Sequence, residues 1–219
     1  MKPEEALQQV VAENRGLAEM LTPARRERLV AYYGLLERWG AALNLSRRGG
    51  PEDWARADVA DSFLGLAAAT RGAPAPASIM DVGSGAGFPG VAVALLFPEV
   101  EVRWVESLKR RVSFLQRVVR ELGLTKVAVL AARVEDVGES AQLVTSRATF
   151  PWQRLDSLRE VVSAGGQLAA FVGREPSGEQ WEAMVSTWGW RGELRPYQVT
   201  GLGPRALALA VRPEAEKAR

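Results

Sequence analysis

A chain of 219 residues, 47% of them hydrophobic, is long enough to bury a full core as one domain with at most a small appendage. It contains neither cysteine nor histidine, which removes disulfides, thiolate and imidazole metal sites, cysteine nucleophiles and histidine-based proton relays. The net charge is +2 and nearly all of the 28 basic side chains are arginine, the group suited to bidentate phosphate contacts, so a nucleic-acid partner is permitted without being required.

The chain opens MKPEEALQQV, with acidic residues where a secretory signal needs an apolar stretch, and no run of about 18 apolar residues follows. A cytoplasmic protein that neither crosses nor anchors to a membrane is expected. From Pro3 to Leu21 the positions Leu7, Val10, Val11, Leu17, Ala18 and Leu21 keep a helical period, with Asn14 as the polar exception, and predict one helix. Thr22-Pro23 supplies an N-cap and a proline at the first helical position for a second, carried by Leu29, Tyr32, Tyr33, Leu36, Trp39 and Leu43. A third helical stretch is expected from about Asp53 to Ala69, and the Pro-rich run Arg71–Pro76 closes the all-helical part.

Short apolar runs then alternate with helical segments, the mark of βαβ units around a parallel sheet. Strands are predicted at Ser78–Val82, Glu101–Val105, Val127–Leu130, Leu143–Ser146, Gln167–Val172, Gly192–Val199 and Leu207–Val211. Helices are predicted at about Val91–Leu96, Lys109–Leu122, Trp152–Val162 and Glu179–Trp188. Only Thr200–Pro204 separates the last two strands, which therefore read as an antiparallel hairpin. The expected architecture is α/β: a mostly parallel, seven-stranded, Rossmann-like sheet of the class I methyltransferase type, ending in that hairpin. The division expected is a helical subdomain over residues 1–72, the α/β domain over 73–212 and a solvated tail over 213–219.

The run Ile79-Met80-Asp81-Val82-Gly83-Ser84-Gly85-Ala86-Gly87-Phe88-Pro89-Gly90 carries a strand into a glycine loop that opens a helix. Such a loop lets backbone approach a ligand and turns amide donors toward it, so a larger residue at Gly83 is expected to fill space the ligand needs. The loop alone leaves the ligand open, because Gly85 to Gly90 also satisfies the GxGxxG spacing of dinucleotide sites. Asp81, two residues before the first glycine, is expected to reach the amino group of a methionine moiety, directly or through water, which favours S-adenosylmethionine. Glu106, closing the second strand, is placed to accept from both ribose hydroxyls of an adenosine, as an acid does in NAD sites too.

With Asp81–Gly90, Glu106-Ser107-Leu108-Lys109-Arg110-Arg111 and Arg120-Glu121-Leu122-Gly123-Leu124, the chain resembles the bacterial RsmG family, also called GidB. Asn44-Leu45-Ser46, Asp61-Ser62, Arg133-Val134-Glu135 and Thr145-Ser146-Arg147-Ala148 extend the resemblance over roughly residues 40 to 175. It implies an S-adenosylmethionine-dependent enzyme that methylates guanine N7 in 16S ribosomal RNA, acting on the RNA or the small subunit as a monomer without a metal. By the same resemblance Gly83, Gly85 and Phe88 line the methyl-donor pocket with Ser107 nearby, and Val134 and Glu135 hold the adenine. Arg147 stands where cofactor and substrate meet, and Asn44, Arg47 and Arg48 lie on the RNA side. The family's lysine-histidine ahead of Asp-Ser-Leu is absent, Ala57-Asp58-Val59-Ala60 preceding Asp61-Ser62-Phe63 here, and its lysine-glycine after the fifth strand is Val172-Gly173. Arg56, Arg174 or the Arg47-Arg48 pair are the basic groups placed to stand in.

Transfer to N7 suits a protein without histidine, because that atom exposes a lone pair and carries no proton, so no general base is needed and none is singled out. Phe88 and Trp152 lie nearest the motifs as candidates to stack a splayed base, while packing is expected of Trp39, Trp54, Trp104, Trp181, Trp188 and Trp190. Two alternatives stay open: an NAD(P)-dependent oxidoreductase, against which the hairpin and the missing proton-transfer group weigh, and a catalytically silent RNA-binding relative.

Overall fold

The computed structural model describes residues 1–43, 49–173 and 176–215. Seven strands, β1 (Ser78–Val82), β2 (Glu101–Val105), β3 (Val127–Leu130), β4 (Ala141–Arg147), β5 (Val162–Gly173), β6 (Arg191–Val199) and β7 (Gly203–Val211), form one sheet in the order β3-β2-β1-β4-β5-β7-β6. The first five are parallel, and β7 runs antiparallel between β5 and β6. This is the Rossmann-like arrangement with a terminal hairpin that the sequence predicts. Chain order reverses between β1 and β4, which opens a crevice at the carboxyl ends of the strands.

Both faces of the sheet are covered, so its inner strands are apolar on alternate residues of each side. In β1, Ile79 enters one core while Met80 and Val82 enter the other; in β4, Leu143 and Val144 divide in the same way. The first core is closed by α1 (Pro3–Glu13), α2 (Arg15–Met20), α3 (Pro23–Leu43), α4 (Pro51–Trp54), α5 (Asp61–Ala69), α6 (Gly90–Leu96) and α7 (Lys109–Glu121). The second is closed by the 3-10 run Trp152–Val161 and by α8 (Gly178–Ser186). Ser177 and Gln180 form a reciprocal cap at the start of α8, and Trp181 donates its indole N–H to the Leu209 carbonyl at 2.7 Å.

Strand β5 starts at Val162 rather than Gln167 and β7 at Gly203 rather than Leu207, and three elements differ in kind from expectation. The first helix is broken at Asn14, whose Nδ2 donates to the Val10 carbonyl (2.9 Å) while its Oδ1 accepts from the Thr200 amide (3.0 Å). The segment Trp152–Val161 is 3-10 rather than α, in keeping with buried Leu155, Leu158 and Val161 at a spacing of three. Helices α4 and α5 are joined without interruption by a π-helical turn, Ala55–Ala60, the kind of local widening that re-aims side chains. Among the described residues no helix is long and apolar enough to cross a membrane, and no group of three or more acidic side chains could hold a metal.

Candidate functional site

A cavity of about 890 Å³ opens at the carboxyl ends of β1, β2 and β4 and reaches the segment after β3. Gly83, Gly85 and Phe88 face it from the first loop, Glu106 and Ser107 from the second, Val134 and Glu135 from the third and Arg147 from the end of β4. Parallel strands deliver their following loops to one edge, which is why residues from four separate segments meet here.

The glycine loop is fixed by its own backbone. The amides of Gly83 and Ser84 both donate to the Val105 carbonyl (2.8 and 3.2 Å), and Gly87 N–H donates to the Ser84 carbonyl (2.6 Å). Gly83 has φ +72°, and a Cβ on it would collide with the side chain of Thr149. The missing Cβ at Gly83 thus lets Thr149 pack on the loop, while Gly83 itself still lines the cavity. Thr149 is brought over the loop by Ala148, the one non-glycine residue with positive φ (52°) among the described residues.

Glu106 is almost fully buried, and its carboxylate is held by the loop itself: Oε2 accepts from Gly85 N–H (3.1 Å), Oε1 from Leu108 N–H (2.9 Å), and Arg111 stands 3.6 Å away. Each carboxylate oxygen accepts two hydrogen bonds, so one position on each is left for a ligand's hydroxyls.

Asp81 is not on the cavity. Strand alternation turns it to the same side as Ile79, where it is fully buried. Its Oδ1 accepts from Thr145 Oγ1 at 2.7 Å, while Oδ2 faces the backbone of Gly90 at the start of α6. A Cβ at Gly90 would lie 2.6 Å from Trp104 Nε1 and 2.8 Å from Asp81 Oδ2, so the glycine allows the helix to seat on both. Burial pushes the Asp81 carboxyl up to about 6, against the weaker opposite pull of the Thr145 hydroxyl. The expected contact with a methionine amino group is replaced by a supporting role beneath the loop.

Arg147 reaches the cavity but is already engaged. Its guanidinium donates to Asp58 Oδ1 (2.6 Å) and to the Ala57 carbonyl (2.8 Å), both on the π-helical turn, and lies 3.7 Å from Asp61 Oδ2. Asp61 in turn accepts from Tyr197 (2.8 Å) and Arg205 (3.1 Å), which tie it to the hairpin. Arg56 is not free to replace a missing basic group, because it pairs with Glu13 (2.6 Å) and donates to the Thr200 carbonyl (3.0 Å). Asn44, Arg47, Arg48 and Arg174 lie outside the described residues.

Of the two stacking candidates, Phe88 lines the cavity and Trp152 does not; Phe150 lines it instead. Trp54, Trp104, Trp181 and Trp190 are buried and Trp188 is half-buried, as packing requires, whereas Trp39 is 45% exposed and the packing expectation fails for it. Asp58, Thr149 and Phe150 are cavity residues that sequence reasoning did not find. Phe150 had a usable signal, since it follows Arg147 by three residues in the same loop; Asp58 had none, because it arrives from the helical part.

Residues 25–189 match the family model described as rRNA small subunit methyltransferase G. A protein from Methylibium petroleiphilum named ribosomal RNA small subunit methyltransferase G is 34% identical over 185 residues, covering 83% of each chain. Another of that name, from Chromohalobacter salexigens, is 35% identical over 169 residues, covering 75% of this chain and 79% of the relative. Among solved structures, a precorrin-6y methyltransferase from Geobacter metallireducens superposes with a TM-score of 0.52 at 13% identity, over 78% of this chain and 95% of that one.

Proposed function

The chain belongs to the rRNA small subunit methyltransferase G family, an S-adenosylmethionine-dependent RNA methyltransferase, and from that premise we propose that it methylates N7 of a guanine in small-subunit ribosomal RNA. The observation that carries this reading is the single cavity faced by the glycine loop, Glu106, Val134, Glu135 and Arg147, beneath a sheet of the matching fold. We assign the ribose hydroxyls to the free acceptor positions of Glu106, the adenine to the Val134–Glu135 segment and the methionine end to Gly83, Gly85 and Phe88. Ser107 and Thr149 complete the wall on either side.

S-adenosylmethionine, when bound, supplies a methyl group on a positively charged sulfur. The residues of this chain supply geometry. Guanine N7 needs no deprotonation, so the site has to hold the nucleophile in line with the methyl group, an orientation effect worth roughly 7–11 kcal/mol in well-arranged reactions. Arg147 presents a fixed cation at the place where cofactor and base meet, its own charge balanced by Asp58. Phe88 and Phe150 give that region apolar walls against which a splayed base can stack. We read residues 73–212 as the methyltransferase unit and 1–72 as a helical subdomain packed on it, working on ribosomal RNA in the cytoplasm.

The test is transfer of tritiated methyl groups from S-adenosylmethionine to total RNA and to purified small subunits, followed by mass spectrometry of the labelled nucleoside. Label as 7-methylguanine in small-subunit RNA is the expected result. Label on another base or another RNA rejects the N7 assignment.

A further inference from the structure

Two limbs of the glycine loop are held by different parts of the molecule. The inner limb is fixed by the sheet, through Val105 and Glu106. The outer limb, Ala86 to Phe88, besides the internal bond from Gly87 N–H to the Ser84 carbonyl, takes one side chain from the N-terminal helices. Tyr32 on α3 donates its hydroxyl to the Ala86 carbonyl at 2.5 Å, 54 residues away along the chain. Its ring stands edge-on to Phe88 with centroids 5.2 Å apart, and its Cε2 would lie 3.5 Å from a Cβ on Gly87. Ala86 and Phe88, on either side of Gly87, therefore meet the same phenol.

The phenol cannot drift from this post. It is 1% exposed, and its far side meets Phe114 of α7 with centroids 6.4 Å apart. Burial disfavours the phenolate and pushes the pKa of this hydroxyl well above its ordinary value, so the group stays protonated and remains a donor. Phe88, gripped on one side by Tyr32, faces the cavity and lies 6.0 Å beneath the Arg147 guanidinium. A helical period explains an apolar ring at position 32, but packing needs the ring and not its hydroxyl.

We propose that Tyr32 is a positioning residue for the methyl donor, setting the outer limb of the cofactor loop from the helical part of the chain; this rests on the cofactor assignment given above. Tyr32 does not touch the cofactor, and acts through Ala86 and Phe88.

Tyr32→Phe keeps the ring and removes the hydroxyl. Calorimetry with S-adenosylhomocysteine and steady-state kinetics should show its Kd, and the KM for S-adenosylmethionine, raised about three- to tenfold, the range of one hydrogen bond. The KM for RNA and kcat at saturating donor should stay within about twofold of wild type. Tyr33→Phe is the control, because the Tyr33 ring packs on Trp54 (4.8 Å) and not on the loop; its donor affinity should be that of wild type. Unchanged donor affinity in Tyr32→Phe overturns the proposal, as does an equal loss in both variants or a parallel loss of RNA affinity, either of which marks general loosening. Failure of the wild-type protein to bind S-adenosylhomocysteine is a separate result that rejects the cofactor assignment itself.

Discussion

Burial under Gly90 gives Asp81 a measurable effect on stability. Its carboxyl titrates at about 6 instead of near 3.8 because loss of solvent outweighs the hydrogen bond from Thr145. A carboxyl whose folded value is raised binds its proton more tightly in the folded state, so stability falls as pH rises from about 4 to about 6 and is flat above that. The loss is on the order of 3 kcal/mol. Asp81→Asn keeps an acceptor for Thr145 and cannot ionise, so the variant's melting temperature relative to wild type, both free of cofactor, should be higher at pH 7 than at pH 4. Parallel curves across that window would show that the carboxyl is not desolvated. At Arg147 the two terminal nitrogens of the guanidinium each hold one acceptor on the π-helical turn, a fork that the single nitrogen of a lysine cannot reproduce. Arg147→Lys should lower stability by about 1–3 kcal/mol and slow single-turnover methylation, a pairing read by urea denaturation and quenched-flow assay. An undiminished unfolding free energy would count against it. The inward turn of Asp81 was not legible in strand parity, since Ile79 on its own face and Met80 and Val82 on the other are all core. Nor was the Asp58–Arg147 pair, because a contact across 89 residues leaves no period in the sequence.

At the level of elements, hydrophobic spacing located every strand and missed what happens at polar positions. Asn14 sits on an otherwise apolar stripe, where a period-based reading passes over it, yet its amide ends α1 and accepts the backbone of the β6–β7 turn. Thr200 Oγ1 donates back to the Glu13 carbonyl (3.1 Å), and Arg56 bridges Glu13 and Thr200, so helix break and hairpin turn form one joint. Asn14→Ala strands the Thr200 amide and should cost about 1–3 kcal/mol in urea unfolding, with the KM for S-adenosylmethionine unchanged because the joint is not on the cavity. A raised KM would mean that the joint transmits strain to the loop. The 3-10 run shows the opposite lesson. Leu155, Leu158 and Val161 advertise a period of three, and only the habit of reading any apolar period near 3.6 as α hides it.

For the molecule as a whole, the first core runs without a break from Leu7 and Leu17 through Phe63 to Leu209, so the N-terminal helices and the sheet bury one another. The fold was legible because alternating βαβ periods leave few topologies, and the strand-end residues of the site followed from it. What helices contribute to the site, Tyr32 and Asp58, depends on how they dock and could not be read in advance. The hairpin exposes a different dependence. Ending the chain after residue 202 removes β7 and leaves β5 and β6 with unpaired edges, so the truncated product should be recovered from cells as aggregate, while a soluble, cooperatively melting product would contradict the pairing. Strand β7 is the latest strand in sequence and yet an interior one. Synthesis therefore delivers β6 before any partner for it exists, and the nascent sheet has a gap between β5 and β6 that only residues 203–211 can fill. A chain in which β7 has not yet docked therefore presents two open edges, β5 and β6, and that undocked state is the one most exposed to mispairing with its neighbours.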